Sequence, residues 1–181
     1  GSVVPSDLYS YSDGKATGYT VTLNGKTLTA DLDANGGYLP VKGIRKGDVV
    51  RIHFDMPVRT VVANRNVADD KGKVAVERGP LVYCAEAVDN GGEPVLRTVM
   101  NKKPAFTLVD GYTINNTEAK DAPSFRVTAI RTQVQTLEET SDGGVGVKDM
   151  SLTLIPYYAW NHRGAGEMNV WFIQNLSLLD K

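Results

Sequence analysis

Cysteine is nearly absent, with Cys84 alone among 181 residues, which excludes an internal disulfide framework and any zinc site built from several thiolates. A lone thiol suits either redox setting, so the compartment stays open. An excess of one charge is absent too. Twenty basic residues face twenty-one acidic ones, and no basic run occurs, so neither nucleic acid nor a membrane surface is an expected partner. No apolar stretch approaches the ~20 residues needed to span a bilayer as a helix. Histidine is scarce: His53 and His162 have no second histidine at ligand spacing, so neither makes a metal site alone. A Gly-x-Ser-x-Gly nucleophile elbow is also missing.

What is present is alternation. Tyr19, Val21 and Leu23 are interleaved with Thr20 and Thr22, and Asn24-Gly25 follows, the dipeptide favoured where a two-residue hairpin needs positive φ. Leu28 and Ala30 are expected on the returning strand. Val50, Ile52, Phe54 and Met56 alternate with Val49, Arg51, His53 and Asp55, giving one apolar and one mixed face until Pro57. From Leu81 to Ala85 both parities are apolar, as in a strand covered on two faces. Ala105 to Val109, Phe125 to Val134, Ser151 to Ile155 and Asn169 to Ile173 are further strands, and Glu138 to Gly146 reads as a mobile loop. Many short strands with Gly, Asn and Asp turns predict an all-β chain, an antiparallel sandwich or jelly roll. Gly1-Ser2 resembles a cloning remnant and the following segment reads as mid-protein sequence, so a chain cut from a longer one is expected.

Candidate chemistry is sparse. Asp31, Asp33 and Asn35 reproduce the opening of a calcium loop, but Lys42 stands where its bidentate glutamate belongs and the flanks read as strands, so a turn is the simpler reading. Glu77, Glu86 and Asp89 lie close together, yet a glycosidase pair must flank a scissile bond at defined separation; Glu77 beside Arg78 reads as an ion pair and Asp89 as part of a turn. Cys84, in the most apolar strand, reads as a small hydrophobe. Tyr157, Tyr158, Trp160 and Trp171 offer flat faces to sugar rings or to a neighbouring domain, although in an extended strand Tyr157 and Tyr158 point to opposite faces. His162 and Arg163 adjoin this group as further sugar or interdomain contacts. No catalytic or cofactor-binding residue is expected.

One combination of motifs is more specific. Leu23-Asn24-Gly25, Gly47-Asp48, Met56 to Arg59 (MPVR), Ala63-Asn64, Gly72 to Cys84 (GKVAVERGPLVYC), Pro156 to Trp160 (PYYAW) and Arg163 to Met168 (RGAGEM) occur in order. Together they resemble the C-terminal β-sandwich region of glycoside hydrolase family 127, the β-L-arabinofuranosidase-like enzymes. The departures are Asn161-His162, where that family often has Ala-Asn, and a longer loop before Asp149. The resemblance implies an (α/α)6 catalytic barrel followed by two β-sandwiches, with a cysteine nucleophile beside a zinc held by cysteines and a glutamate in the barrel. None of those barrel motifs has a counterpart here, so the chain is expected to be a non-catalytic accessory region whose partner is the barrel, or alternatively a carbohydrate-binding module. By the same analogy residues 1–76 form part of a first sandwich, with 1–18 irregular, 77–160 form a second, and 161–181 hold a strand returning to the first and a tail. Strands upstream of the Tyr19 region would be missing, so homodimerisation through that open edge, or its coverage by residues 3–15, is expected.

Overall fold

The computed structural model describes residues 7–14, 17–29, 37–117 and 123–174. Among these, Tyr19–Leu23 (β2), Lys26–Leu28 (β3) and Val50–Phe54 (β4) form a three-stranded sheet in the order β3-β2-β4. The hairpin between β2 and β3 turns at Asn24 and Gly25, with φ of 50° and 82°, as the dipeptide predicts. Asn24 is held by its own side chain: Nδ2 donates to Asp48 Oδ1 at 2.8 Å, and Oδ1 accepts from the Val49 amide at 2.9 Å. Opposed pairs Tyr19–Phe54, Val21–Ile52 and Leu23–Val50 place the apolar residues on one face, with Thr20–His53 and Thr22–Arg51 on the other. Val21 is buried at 4% exposure, whereas Ile52 is 57% and Phe54 64% exposed.

This arrangement corrects one expectation. The Tyr19 strand is central, flanked by β3 and β4, and is not an edge. Tyr9–Tyr11 (β1), from the segment expected to cover it, instead pairs antiparallel with Val58–Ala63 (β5). It is fastened there by a polar cluster. The Arg59 guanidinium lies 3.5 Å over the Tyr11 ring and donates to Asp13 at 2.6 Å, while Tyr11 Oη donates to Glu77 at 3.0 Å. Glu77, expected to pair with its neighbour Arg78, is thus an acceptor for the N-terminal strand.

The remaining strands are Lys73–Arg78 (β6), Leu81–Glu86 (β7), Thr98–Met100 (β8), Thr107–Ile114 (β9), Phe125–Glu139 (β10), Val145–Pro156 (β11), Met168–Asn169 (β12) and Phe172–Ile173 (β13). With β1 and β5 they make one ten-stranded sheet, ordered β1-β5-β6-β13-β8-β10-β11-β7-β12, with β9 on β10. A further β6–β7 pairing bends this path back on itself. All ladders are antiparallel except the single contact of Ile173 with Val99. The β6–β7 hairpin turns at Gly79-Pro80. Gly79 has φ +57°, a left-handed backbone that favours glycine, and a Cβ there would also displace the flexible end of Met56, 2.8 Å away.

Alternation in β7 explains why the sheet has apolar material on both sides. Tyr83 and Ala85 enter one core with Val74, Val76, Ile130, Leu154 and Phe172. Cys84 enters a second core with Ile114, Val127, Ala129, Ile155 and Ala159. β10 and β11 divide their side chains between the same two cores, so β7, β10 and β11 form a wall covered on both faces, as the unbroken apolar run predicts.

Several expected elements are longer than expected. β9 continues to Ile114, accommodating a bulge where Asp110 and Gly111 oppose Thr128 and Gly111 takes φ +71°. β10 runs five residues past Val134 and pairs Glu139 with Val145. The mobile loop expected at Glu138 to Gly146 is therefore the tip of a long hairpin, closed by the Thr140 amide on the Gly144 carbonyl at 2.9 Å. The domain boundary expected at residue 76 falls inside β6, where Val74 and Val76 share a core with Leu152 and Leu154. Strand pairing changes sheet between Phe54 and Val58 instead. The last strand pairs Phe172 with Val74 of β6.

Candidate functional site

The densest chemistry in the described chain gathers where β7 ends. After Glu86 the chain makes one 3-10 turn, Ala87–Asn90, and leaves it through Gly91 at φ 71°, which returns Asp89 to the side of Glu86. Asn90 locks that turn to β11: its Nδ2 donates to the Glu86 carbonyl at 2.7 Å and the Thr153 carbonyl at 3.1 Å, and its Oδ1 accepts from the Thr153 amide at 2.8 Å. Arg163 arrives from the loop after Trp160, where Asn161 takes φ 67°. Its Nη2 donates to Asp89 Oδ2 at 2.6 Å and also to Glu86, and its Nη1 donates to the second Asp89 oxygen. Tyr112 Oη donates to Asp89 at 2.7 Å, and the Asn161 amide to Glu86 at 3.3 Å.

The three charged side chains are 8%, 6% and 1% exposed for Arg163, Glu86 and Asp89. Burial disfavours the Arg163 cation, but hydrogen bonds to Asp89 and Glu86 outweigh it and raise the pKa. Burial, reinforced by the hydrogen bond to Asp89 and its charge, pushes the Tyr112 hydroxyl up to about 12. Two carboxylates aimed at one guanidinium are not poised across a bond to be cleaved. The carboxylate oxygens and the Nη protons of Arg163 are engaged in holding the loop 160–166 on the sheet. A depression of about 430 Å³ lies beside the cluster, lined by Glu86, Ala87, Pro94, Arg163 and Glu167 among others.

The aromatic candidates divide into separate places. Tyr157–Ala159 is a 3-10 turn, not an extended strand, so Tyr157 and Tyr158 do not take opposite faces; instead residues three apart stack. Tyr157 and Trp160 lie with centroids 5.7 Å apart at 21°. Trp160 is half-buried against the second core, while Tyr157 and Tyr158 are 44% and 60% exposed. His162 meets the edge of Phe125 at 5.6 Å. Trp171 stacks on Tyr9 and takes no part in the group. Arg163 points inward to the ion cluster. Sequence reasoning noted Glu86 and Asp89 but missed Tyr112 and Asn90; the turn-forming Asp89-Asn90-Gly91 was the available signal, and nothing local pointed to an arginine 74 residues away.

Metal ligands do not converge. Among the described residues no three His, Cys, Asp or Glu side chains form a group that could hold an ion. Cys84 is fully buried, and burial pushes its thiol up to about 12, opposite to what a thiolate ligand or nucleophile needs. The described residues therefore do not fit the zinc centre that the family resemblance implies elsewhere. The calcium-like Asp31, Asp33 and Asn35 lie outside the described residues. No helix among the described residues is long and apolar enough to cross a membrane.

Residues 58–173 match the model of the glycoside hydrolase family 127 C-terminal domain. The chain is 35% identical over 167 residues to a non-reducing end β-L-arabinofuranosidase of Bifidobacterium longum, covering 84% of this chain and 23% of that protein. Among solved structures, a GH127 β-arabinofuranosidase matches with TM-score 0.82 and 43% identity, over 97% of this chain and 26% of that one. A GH127 β-L-arabinofuranosidase from Geobacillus stearothermophilus matches with TM-score 0.61 and 26% identity, over 87% of this chain and 25% of that one. The chain thus spans about a quarter of the length of the relatives it matches.

Proposed function

Because the chain belongs to glycoside hydrolase family 127 and matches its C-terminal domain, we propose that it is a non-catalytic accessory region that packs on and supports a catalytic (α/α)6 barrel in a longer β-L-arabinofuranosidase-like enzyme. One observation carries the reading. Of the three carboxylates close in sequence, Glu86 and Asp89 are buried on Arg163 as an internal fastening, and Glu77 accepts from Tyr11. The apolar strand that holds Cys84 offers no nucleophile in its place. Hydrolysis and any zinc belong, on this reading, to the barrel.

A carbohydrate-binding module is the second reading, favoured by the exposed Tyr157 beside Trp160 and by the nearby Tyr158, since flat rings with polar edges suit sugars. Titration calorimetry of the purified chain against arabinofuranosides and plant-cell-wall glycans, with hydrolysis followed in the same samples, separates the cases. Neither heat nor turnover is expected. Saturable binding lost in Tyr157→Ala and Trp160→Ala would establish the module, and turnover would overturn the non-catalytic reading altogether.

A further inference from the structure

Arg59, Arg78 and Arg163 each have a guanidinium nitrogen shut off from solvent. Two of these cations are matched by carboxylates within the chain, Arg59 by Asp13 at 2.6 Å and Arg163 by Glu86 and Asp89. Arg78 is not. Among the described residues it forms no ion pair, and its buried Nε has no hydrogen-bond partner. The adjacent Glu77 points to the opposite face of β6, where it accepts from Tyr11. Arg78 closes β6 opposite Leu81 and Val58, both packed on the rim of the first core, and shares their face with Tyr83. Its charged head meets a neutral group there, the Tyr83 hydroxyl, which gives its own proton to the Thr128 carbonyl at 2.9 Å. Asp110 also acts on that hydroxyl, but its carboxylate is taken by Thr128 Oγ1 at 2.8 Å. The exposed Tyr158 reaches the same hydroxyl from the end of β11. A half-buried cation loses hydration that a neutral hydroxyl does not fully replace.

We propose that Arg78, flanked by Tyr158, is the point at which an Asp or Glu side chain of the catalytic barrel docks on this region in the longer enzyme. The inference rests on the accessory reading above and adds the place and the chemistry of the contact. Charge complementarity names the occupant: the two other arginines with buried nitrogens are each held by carboxylates, and the guanidinium fork takes a carboxylate by paired hydrogen bonds. The setting is that of an interface centre, an arginine beside an aromatic ring with an apolar collar from Val58 and Leu81. Material to supply the carboxylate is ample, since this chain covers only 26% of the GH127 β-arabinofuranosidase it matches at 43% identity.

Exchanging the matching quarter of that β-arabinofuranosidase for the full 181-residue chain gives a chimaera in which the contact is measured. With Arg78→Lys in the chimaera, a zero-length carbodiimide should join the introduced amine to an Asp or Glu of the barrel, a cross-linked peptide absent from the parent chimaera. Arg78→Met should raise the chimaera's rate of thermal inactivation ~10-fold or more, as for loss of one partner of a largely desolvated charge pair. The same substitution in the 181-residue chain alone removes no counter-charged partner, and its unfolding midpoint should move by less than ~2 °C. Cross-links confined to carboxylates of this chain, an inactivation rate indifferent to Arg78→Met, or an equal loss in the chain alone overturns the docking point and leaves the accessory reading standing. A chimaera whose two parts melt independently and separate on limited proteolysis overturns that reading, and the docking point falls with it.

Discussion

The two sheets of this molecule are written in the same code and end differently. β4 alternates Val50, Ile52 and Phe54 with polar residues, and these three are 39–64% exposed. β6 carries Val74 and Val76 at the same two-residue spacing, here with a buried Ala75 between them, and the two valines are at most 1% exposed. Alternation states that a strand has an apolar face; it does not state that a second layer is present to cover it. In the large sheet the covering layer comes from the chain itself, because β10, β11 and β13 return across distances of fifty to a hundred residues to close over β6 and β7. In the small sheet, among the described residues, the segment around Tyr38 is what approaches the face.

The contrast is broken most directly by one substitution in each sheet. Phe172, fully buried between β6 and the wall of the first core, should cost about 3–5 kcal/mol as Phe172→Ala, from lost transfer energy and the cavity left behind. Phe54→Ala should change the stability of the monomer by less than ~0.5 kcal/mol, since that ring is already in water. Urea denaturation of both variants at low protein concentration reads the difference. Equal losses would mean that the small face is covered within the monomer after all.

The fastening of the large sheet can be broken next. Arg163→Met removes the cation and leaves Glu86 and Asp89 buried with uncompensated charge, a loss of ~3 kcal/mol. The lower end of the usual range applies because the adjoining depression lets solvent approach. A triple variant that also carries Glu86→Gln and Asp89→Asn should recover much of the loss, which a merely steric role for Arg163 would not allow.

Much of this architecture was readable before any coordinates. The Asn24-Gly25 turn, the doubly covered strand at Leu81 to Ala85 and the break at Pro57 each depend on chemistry local to a few residues, and each is found. The ends of β10 and β11 were not readable, because Gln135, Glu138 and Lys148 look like loop residues until cross-strand pairing accounts for them. The turn at Tyr157 is not legible either, because its apolar composition suits an extended chain and a turn alike. The Arg163 cluster was half legible: Glu86 and Asp89 sit within one turn, but the partners that give them meaning, Tyr112 and Arg163, are joined only by tertiary structure. The open edge expected at Tyr19 is not found, because β2 lies between β3 and β4; order within a sheet is a long-range property that β2 alone does not specify.

Alkaline pH sharpens the contrast without mutation. Burial first, then the charges of Glu86 and Asp89, pushes the Cys84 thiol from 9.0 up to about 12, and Tyr112 rises from 10.0 to about 12. Between the unfolded and folded values the unfolded chain has lost these protons and the folded chain keeps them, so stability falls as pH rises. The contribution is whole below pH 9 and declines from there towards pH 12. Cys84 supplies at most about 1.4 kcal/mol per pH unit, and Tyr112 less, because its partly solvated ring is screened. Denaturation midpoints measured upward from pH 8 should fall, and Cys84→Ala should flatten the early part of the decline. Cys84 lies in β7 and Tyr112 packs against the same core, so amide exchange corrected for its own pH dependence should show β7 more affected than β4.

The smallest effect tests what holds the small sheet when burial does not. Asn24 serves twice, by accepting positive φ and by bridging Asp48 and the Val49 amide with its side chain. Asn24→Gly keeps the turn and removes the bridge; Asn24→Ala removes both. An alanine forced into the left-handed region costs about 1 kcal/mol, so the alanine variant should be destabilised by roughly that much beyond the glycine variant. Because so little of this sheet is buried, the loss should appear as faster amide exchange confined to β2, β3 and β4, with β7 and β10 unchanged. If exchange in the large sheet quickened in parallel, the two sheets would unfold as one unit, and the three-stranded sheet would have to be regarded as a cooperative part of the domain that begins at Val58 rather than as a separate layer awaiting its cover.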